Sequence, residues 1–366
     1  MLEQGMKVYR PIRPGMQDQA STRNREIACK SLRILFLIAM AWALIPALIG
    51  AGIRGCTSFY RRDFTLHQPT KGVECAAVKS LKIRTFNTAL MPEVIVVNNR
   101  LRPARERVKV IARELLSRDD DVICMQECFN TDCSDYLANE LRIKFPYIIC
   151  NVGPRVFGLN SGLFVASKLP ISGAHYEKYD ELFGECRWSN KGNLSFTVEM
   201  GNGRVANIMT THFQASMQRT SRHPNGSIDR RKELVEIIYK KALDYQKTHP
   251  ADYFLVAGDF NIIPVPDSEW IAFKHRIEPW YNEEGRQDLS TVWLKDDMWD
   301  PSQVNLWGVQ PGKVLDHVGR FRGIGAEPEN RGYVIDPMAG SSDHLALARE
   351  LSISSLPNLA KDPKCE

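Results

Sequence analysis

A chain of 366 residues, 43% of them hydrophobic, is long enough to bury a large core, and it carries neither an internal repeat nor a low-complexity tract, which excludes a repeat array. The net charge of +5 is unevenly placed: residues 1–53 hold seven Lys/Arg against three Asp/Glu, so the remainder is nearly neutral and lacks the electrostatic footprint of a nucleic-acid binder. Nine cysteines show no paired metal-site spacing, and Cys124-x3-Cys128-x4-Cys133 reads as core thiols.

Residues 1–33 form a basic N-terminal segment. Ile34 to Ile53 is a run of twenty residues without a charge, long enough to cross a bilayer as a single N-terminal helix even with Pro46 inside it. A cleaved signal peptide and a buried core helix are the alternatives; the run is long for the first, and its basic lead is unusual for it. Arg23, Arg25, Lys30 and Arg33 on one side balance Arg54, Arg61, Arg62 and Lys71 on the other, so the charges leave the side of the membrane open. Residues 54–79 read as a tether to a domain spanning 80–355, with 356–366 as a tail.

The domain opens on Leu81-Lys-Ile-Arg-Thr-Phe-Asn87, an alternating strand ending in an amide that either caps a turn or meets a partner. Residues 102–117 have helical spacing at Val108, Ile111 and Leu115 with basic residues between, the pattern of a surface helix. The apolar run Asp121-Val-Ile-Cys-Met-Gln-Glu127 then sets a carboxylate at a strand end, where open α/β sheets gather their sites. Strand, helix and strand make a crossover unit.

Strands follow at 147–150, 161–167, 193–199 and 204–212, the last two joined by the hairpin signal Gly201-Asn-Gly203, and the last delivers His212 and Gln214. A histidine at a strand end is either a structural hydrogen-bonder or a catalyst. A helix at 229–248 leads into Phe254-Leu-Val-Ala-Gly-Asp-Phe-Asn261. There an apolar strand fit for burial on both faces ends in Asp259 and Asn261 on one face, an acid for a proton or a metal beside an amide for a phosphate oxygen. An Asx-turn at a strand end is the plainer alternative. Residues 265–313 are irregular and hold Trp270, Trp280, Trp293, Trp299 and Trp307, either a loop-covered satellite core or a rim facing lipid head groups. Val314-Leu-Asp316-His317 and Ser342-Asp343-His344 close the domain, and Asp343 beside His344 is the acid expected to orient that imidazole.

Taken together, Asn87, Gln126-Glu127, His212, Gly258-Asp259-Phe-Asn261, Leu315-Asp316-His317 and Ser342-Asp343-His344 occur in the order and spacing of the endonuclease/exonuclease/phosphatase superfamily. Residues 80 to about 352 resemble it. The resemblance implies a DNase I-like four-layered α/β sandwich, with two mainly antiparallel β-sheets flanked by helices. It also implies a Mg²⁺-dependent (or Mn²⁺-dependent) phosphoester hydrolase. Trp188-Ser-Asn-Lys191-Gly192 before one strand and Thr211-His212-Phe-Gln214-Ala215 at the end of the next resemble the neutral and bacterial sphingomyelinase branch. Arg320 to Gly340 departs from the apolar membrane-inserting hairpin of the secreted bacterial members.

By that resemblance Glu127 holds the metal ion with Asn87 near it, and Asp259 either contacts the ion or positions the water. His344 is the base that activates water, and His212 stabilises the phosphate or assists the leaving group, which would need its protonated form. Asn261 donates to a phosphoryl oxygen, Asp316 orients a neighbouring imidazole, and Lys191 either offsets phosphate charge or is a surface lysine. The expected substrate is a membrane phospholipid, sphingomyelin or a relative, cleaved to ceramide and phosphocholine at a bilayer to which the chain is anchored, with no nucleic acid as partner. A membrane-anchored nuclease of the same superfamily is the alternative.

Overall fold

The computed structural model describes residues 29–40, 42, 44–50, 52, 63–70, 77–93, 101–154, 159–216, 226–264, 267–279, 315–336, 338, 341–344 and 346–353. The chain divides into two compact units, Met1–Tyr60 and Arg61–Glu366. In the first, Cys29–Gly50 forms a 22-residue helix whose most apolar 18-residue stretch has a mean hydropathy of 2.3, long and apolar enough to cross a membrane, and its large apolar side chains are exposed.

The second unit is built on two sheets. The first contains β1 (Thr65–His67), β2 (Ser80–Asn87), β3 (Val122–Gln126), β4 (Tyr147–Cys150), β5 (Phe164–Ser167), β12 (Glu329–Asp336) and β13 (Ala346–Ser352), in the spatial order β1-β4-β5-β3-β2-β13-β12. The other contains β6 (Ile171–Lys178), β7 (Gly192–Glu199), β8 (Val205–His212), β9 (Tyr253–Asp259), β10 (Ile277–Pro279) and β11 (Asp316–Gly325), in the order β10-β11-β9-β8-β7-β6. Each sheet is antiparallel except for one parallel pair, β2 with β3 and β8 with β9. A helix covers each of those crossovers, α1 (Ala104–Ser117) for the first and α3 (Gly226–Thr248) for the second. Helices α2 (Thr131–Leu141) and α4 (Ser268–Arg276) complete the two outer layers.

Side-chain alternation makes the layers. Leu81 and Ile83 of β2 pack between the sheets with Leu194, Phe196, Leu255 and Ala257, whereas Phe86 of the same strand joins Ile111, Leu115 and Leu137 under α1 and α2. Leu234, Ile238, Phe254, Trp270 and Phe321 form the corresponding core beneath α3 and α4. The expected four-layered sandwich is therefore present, with three apolar cores between its layers. Cys124, Cys128 and Cys133 are buried free thiols, as their spacing implied, and Cys150 and Cys186 are buried as well.

Two signature glycines are places where neighbouring backbone comes too close for a side chain. A Cβ on Gly258 would lie 2.1 Å from the Thr211 carbonyl oxygen of β8, and one on Gly192 would lie 2.1 Å from that of Glu177 on β6.

Some expectations change. The stretch 54–79 is not wholly a tether, because β1 pairs with β4, and its own Leu66 and the preceding Phe64 pack on the inter-sheet core. Arg320 to Gly340 contributes β11 to one sheet and β12 to the other, so within its described residues it is inter-sheet connection rather than a hairpin. Trp270 takes the satellite-core reading: it is buried and stacked on Phe273 at 5.3 Å, while Trp280, Trp293, Trp299 and Trp307 lie outside the described residues.

Candidate active site

The two parallel pairs aim their C-terminal ends at one place. In β2 and β3, Asn87 is in register with Gln126; in β8 and β9, His212 is in register with Asp259. The Asn87 side-chain amide donates to Asp259 Oδ2 at 2.9 Å, so the ends of β2 and β9 touch across the sandwich. Gln126 ties the sheets a layer deeper, accepting from Thr85 Oγ1 at 3.2 Å and donating to Thr210 Oγ1 at 3.3 Å.

Immediately past the strands the backbone turns sharply. Glu127 has φ +58° and Asn261 φ +53°, conformations that non-glycine residues adopt rarely and mostly where the surroundings hold them. Glu127 Oε1 thereby comes within 3.8 Å of His212 Nε2, and Asp259 Oδ2 within 3.5 Å of the same nitrogen. Asn261 donates its backbone N–H to Asp259 Oδ1 at 2.9 Å, the Asx-turn of the plainer reading, and its side chain still sits in the group.

His344 is held by an acid other than its sequence neighbour. Its Nδ1 lies 2.7 Å from Asp316 Oδ2, whereas Asp343 Oδ1 sits 3.3 Å from Ser342 Oγ, whose proton goes to the nearer Asn87 carbonyl. The expected Asp343 contact is thus replaced by Asp316, because the turn at 341–344 sends consecutive side chains in different directions. Burial works against the imidazolium of His344, but contact with Asp316 and its hydrogen bond, together with the charges of Asp259 and Asp343, outweigh it and lift the group well above its usual pKa.

His212 takes the opposite direction. Burial, then the charge of Lys191 and that of His344, drive it well below the usual imidazole value, so the ring is neutral. Lys191 is no surface lysine: it is 4% exposed and its Nζ reaches His212 Nε2 at 2.8 Å and the Phe213 carbonyl at 3.0 Å. With a permanent donor on Nε2, His212 accepts there. The two carboxylates at 3.5 and 3.8 Å are more distant than this ammonium, and a protonated His212 is corrected to a neutral one.

The remaining signature residues brace this wall. Gln214 closes a pair of hydrogen bonds with the backbone of Phe183, accepting from its N–H at 2.8 Å and donating to its carbonyl at 3.4 Å, which pins the loop leading to Lys191. That loop presents Trp188, the first residue of the Lys191-Gly192 motif, 61% exposed with the Arg187 guanidinium 5.0 Å from its ring centroid. Thr211 Oγ1 bonds Tyr179 Oη at 2.6 Å and the Gly192 carbonyl at 3.1 Å.

The charges suit a divalent cation. The site gathers the carboxyl groups of Glu127, Asp259, Asp316 and Asp343, and the Lys191 ammonium bears on Glu127 and Asp259 while His344 pairs with Asp316. Burial, followed by a neighbouring acid, raises the pKa of both Glu127 (Asp343) and Asp259 (Asp316). Unneutralised acids with hard oxygen donors are a fit for such an ion. Ligand-type atoms of Asp259, Asp316 and His344 lie within 4.8 Å of one another, with the Asp316–His344 hydrogen bond engaging two of them, and Asn87 joins the group through its bond to Asp259.

A family model described as Endonuclease/Exonuclease/phosphatase family matches residues 85–344. Sphingomyelin phosphodiesterase 3 of Homo sapiens is 25% identical over 243 residues, covering 62% of this chain and 34% of that protein. Sphingomyelinase C of Leptospira interrogans is 29% identical over 201 residues, 50% of this chain and 34% of that protein. The chain thus spans about a third of the length of these relatives. A crystal structure of a beta toxin variant from Staphylococcus aureus with bound magnesium ions shares the fold, with a TM-score of 0.56 at 17% identity over 75% of this chain and 99% of that one.

Proposed function

This chain belongs to the endonuclease/exonuclease/phosphatase family, and from that premise we propose that it is a Mg²⁺-dependent phosphodiesterase that hydrolyses sphingomyelin, or a related choline phospholipid, releasing phosphocholine and ceramide. The observation that carries this reading is the pairing of unlike histidines across the acids, His344 bound to Asp316 and His212 bound to Lys191. The relatives named above supply the substrate class.

Glu127 and Asn87 would hold the cation, Mg²⁺ or in its place Mn²⁺, and the cation when bound would supply neutralisation of the non-bridging phosphate oxygens. His344, its Nδ1 proton engaged by Asp316, offers Nε2 as the base that takes a proton from the attacking water. Asp259, bonded by Asn87, keeps its second oxygen on the Asn261 amide and so fixes both residues beside that water. Lys191 brings its positive charge to the phosphate and leaving-group side, with His212 orienting the ammonium. Asn261 is assigned to a phosphoryl oxygen. The helix Cys29–Gly50 is assigned as a membrane anchor and Arg61–Glu366 as the catalytic domain working at that bilayer.

The test compares phosphocholine release from sphingomyelin with nicking of plasmid DNA under the same Mg²⁺ conditions. The expected result is choline-phosphate release that chelator abolishes and that Glu127→Gln lowers by about 10²-fold or more with folding intact. DNA nicking without phosphocholine release would leave the fold standing and reject the lipid substrate.

A further inference from the structure

Helix α1 carries one residue that its amphipathic pattern does not explain. Arg107 falls on the apolar stripe with Ile111 and Leu115, four residues apart each time, and is 1% exposed. Its guanidinium makes four hydrogen bonds, every one to a backbone carbonyl: Nε to Arg102 at 2.8 Å, Nη1 to Thr88 at 2.9 Å and to Ser341 at 2.8 Å, and Nη2 to Ala89 at 2.6 Å.

The addresses of those carbonyls matter. Thr88 and Ala89 directly follow Asn87, and Ser341 directly precedes the Ser342-Asp343-His344 turn. A second strap joins the same two loops, since Ser342 Oγ donates to the Asn87 carbonyl at 2.7 Å and accepts from the His344 N–H at 3.2 Å. One loop also contains a left-handed non-glycine residue, Ala89 at φ +48°, and Met338 at φ +46° lies just before the other; such conformations persist only where their surroundings over-determine them. The carboxylates of Asp343 and Glu127 bear on the guanidinium electrostatically, so its charge lies behind the acids of the site.

We propose that Arg107 is a positioning residue whose planar fork sets the spacing between the loop carrying Asn87 and the loop carrying His344, and so holds the cation side and the base side of the site in register. This rests on the roles proposed above for Asn87 and His344. An ammonium replaces it only in part: one nitrogen can bridge Thr88 and Ser341, as Nη1 does, but the planar fork is needed to hold the Arg102 and Ala89 carbonyls at the same time.

The test uses the full chain with Arg107→Lys and Arg107→Ala, measured in three ways: kcat and KM for phosphocholine release, amide hydrogen exchange at 88–91 and 341–344, and recovery of Arg107→Ala by millimolar guanidinium. Expected is a kcat loss on the order of 10²-fold at nearly unchanged KM, the scale of a misplaced catalytic group. The two loops lose exchange protection while β8 and β9 keep theirs, and guanidinium restores part of the kcat of Arg107→Ala. Wild-type kcat in Arg107→Lys, or unchanged exchange in both loops, overturns the proposal; a rate loss that only tracks the unfolded fraction, without guanidinium recovery, does so too. Should Arg107→Ala fail to fold, Arg107→Lys decides. Should the wild type release no phosphocholine, the substrate reading fails while the exchange measurement still decides the role of Arg107.

Discussion

His344 Nδ1 and Asp316 Oδ2 lie 2.7 Å apart, and this hydrogen bond joins the turn before β13 of one sheet to the first residue of β11 in the other. The residues are far apart in sequence, and each is adjacent in the chain to a different decoy, Asp343 for the histidine and His317 for the acid. His317 turns away into the aromatic core, where its Nε2 lies 2.9 Å from the Ile262 carbonyl.

The pairing sets a pH dependence. A base must be neutral, and Asp316 raises the pKa of His344 against burial, so hydrolysis should fall as pH drops through a value well above 6.5. Asp316→Asn removes the largest raising influence and leaves burial, so the limb should move to lower pH while the plateau rate falls on the order of 10²-fold. Asp343→Asn should shift the limb less and cost less. The pH–rate profiles of the two variants decide it; a larger loss in Asp343→Asn would return the orienting role to that residue.

Lys191 and His212 make a second separable pair. Since His212 is neutral, its proton is not available to the leaving group, and the ammonium 2.8 Å away carries the positive charge. Lys191→Met should lower the rate on sphingomyelin by about 10²-fold and should cost less on a nitrophenyl phosphocholine ester, whose leaving group departs without help. By NMR the His212 imidazole should titrate higher in that variant, because one of the influences depressing it is gone. An imidazole that titrates unchanged would place Lys191 away from the ring in solution.

His317 carries a stability prediction. Burial pushes it down to about 4 in spite of the Ile262 hydrogen bond, with Arg349 adding to the depression. The unfolded chain takes up this proton near pH 6.5, so the folded state is unaffected by it above that value and loses stability as pH falls from there to about 4. The slope is about 1.4 kcal/mol per pH unit and the total about 3 kcal/mol. Urea unfolding of wild type and His317→Gln at pH 7, 5 and 4 should show the difference between them shrinking by roughly that amount. Parallel curves would mean that the histidine is hydrated in the folded protein.

The edge strand β1 can be tested by truncation. Deletion of residues 1–60 removes the first compact unit and should leave a folded domain, whereas deletion of 1–79 also removes Phe64, Leu66 and the pairing with β4. The longer deletion should cost about 2 kcal/mol or more from lost apolar burial alone, visible as a lower Tm. Equal Tm values for the two would make β1 dispensable.

How much of this could be read from the residues follows from what each position has to do. Strand ends carrying Asn87, Glu127, His212 and Asp259 were legible because an apolar run terminating in a polar side chain is a local pattern, and the two crossover units follow from strand, helix and strand in succession. The partner of His344 was not, because sheet-on-sheet packing chooses it and sequence adjacency pointed to Asp343. Arg107 was hidden for a related reason: among the basic residues of α1 it looks like solvent-facing charge, and only its i, i+4 spacing with Ile111 and Leu115 marked it as inward. Helix α2 is short and polar, yet Asn130 caps it by accepting from the Cys133 N–H at 3.1 Å, a signal present in the residues. Asp336 at the end of β12 is a charge that Arg84 of β2, at 3.5 Å, and Arg118, at 2.8 Å, satisfy only in the folded sheet.

The place of β13 has a consequence for how the protein is made. It lies between β2 and the edge strand β12, so one side of β2 stays open until residues 346–352 have been synthesised. A nascent chain still lacking them has the N-terminal apolar helix and most of its acids, but no neighbour for β2 on that side and no fixed turn at His344. Closure of the first sheet over that side of β2, and with it the setting of the turn that carries His344, therefore waits for a segment about 260 residues further along the chain.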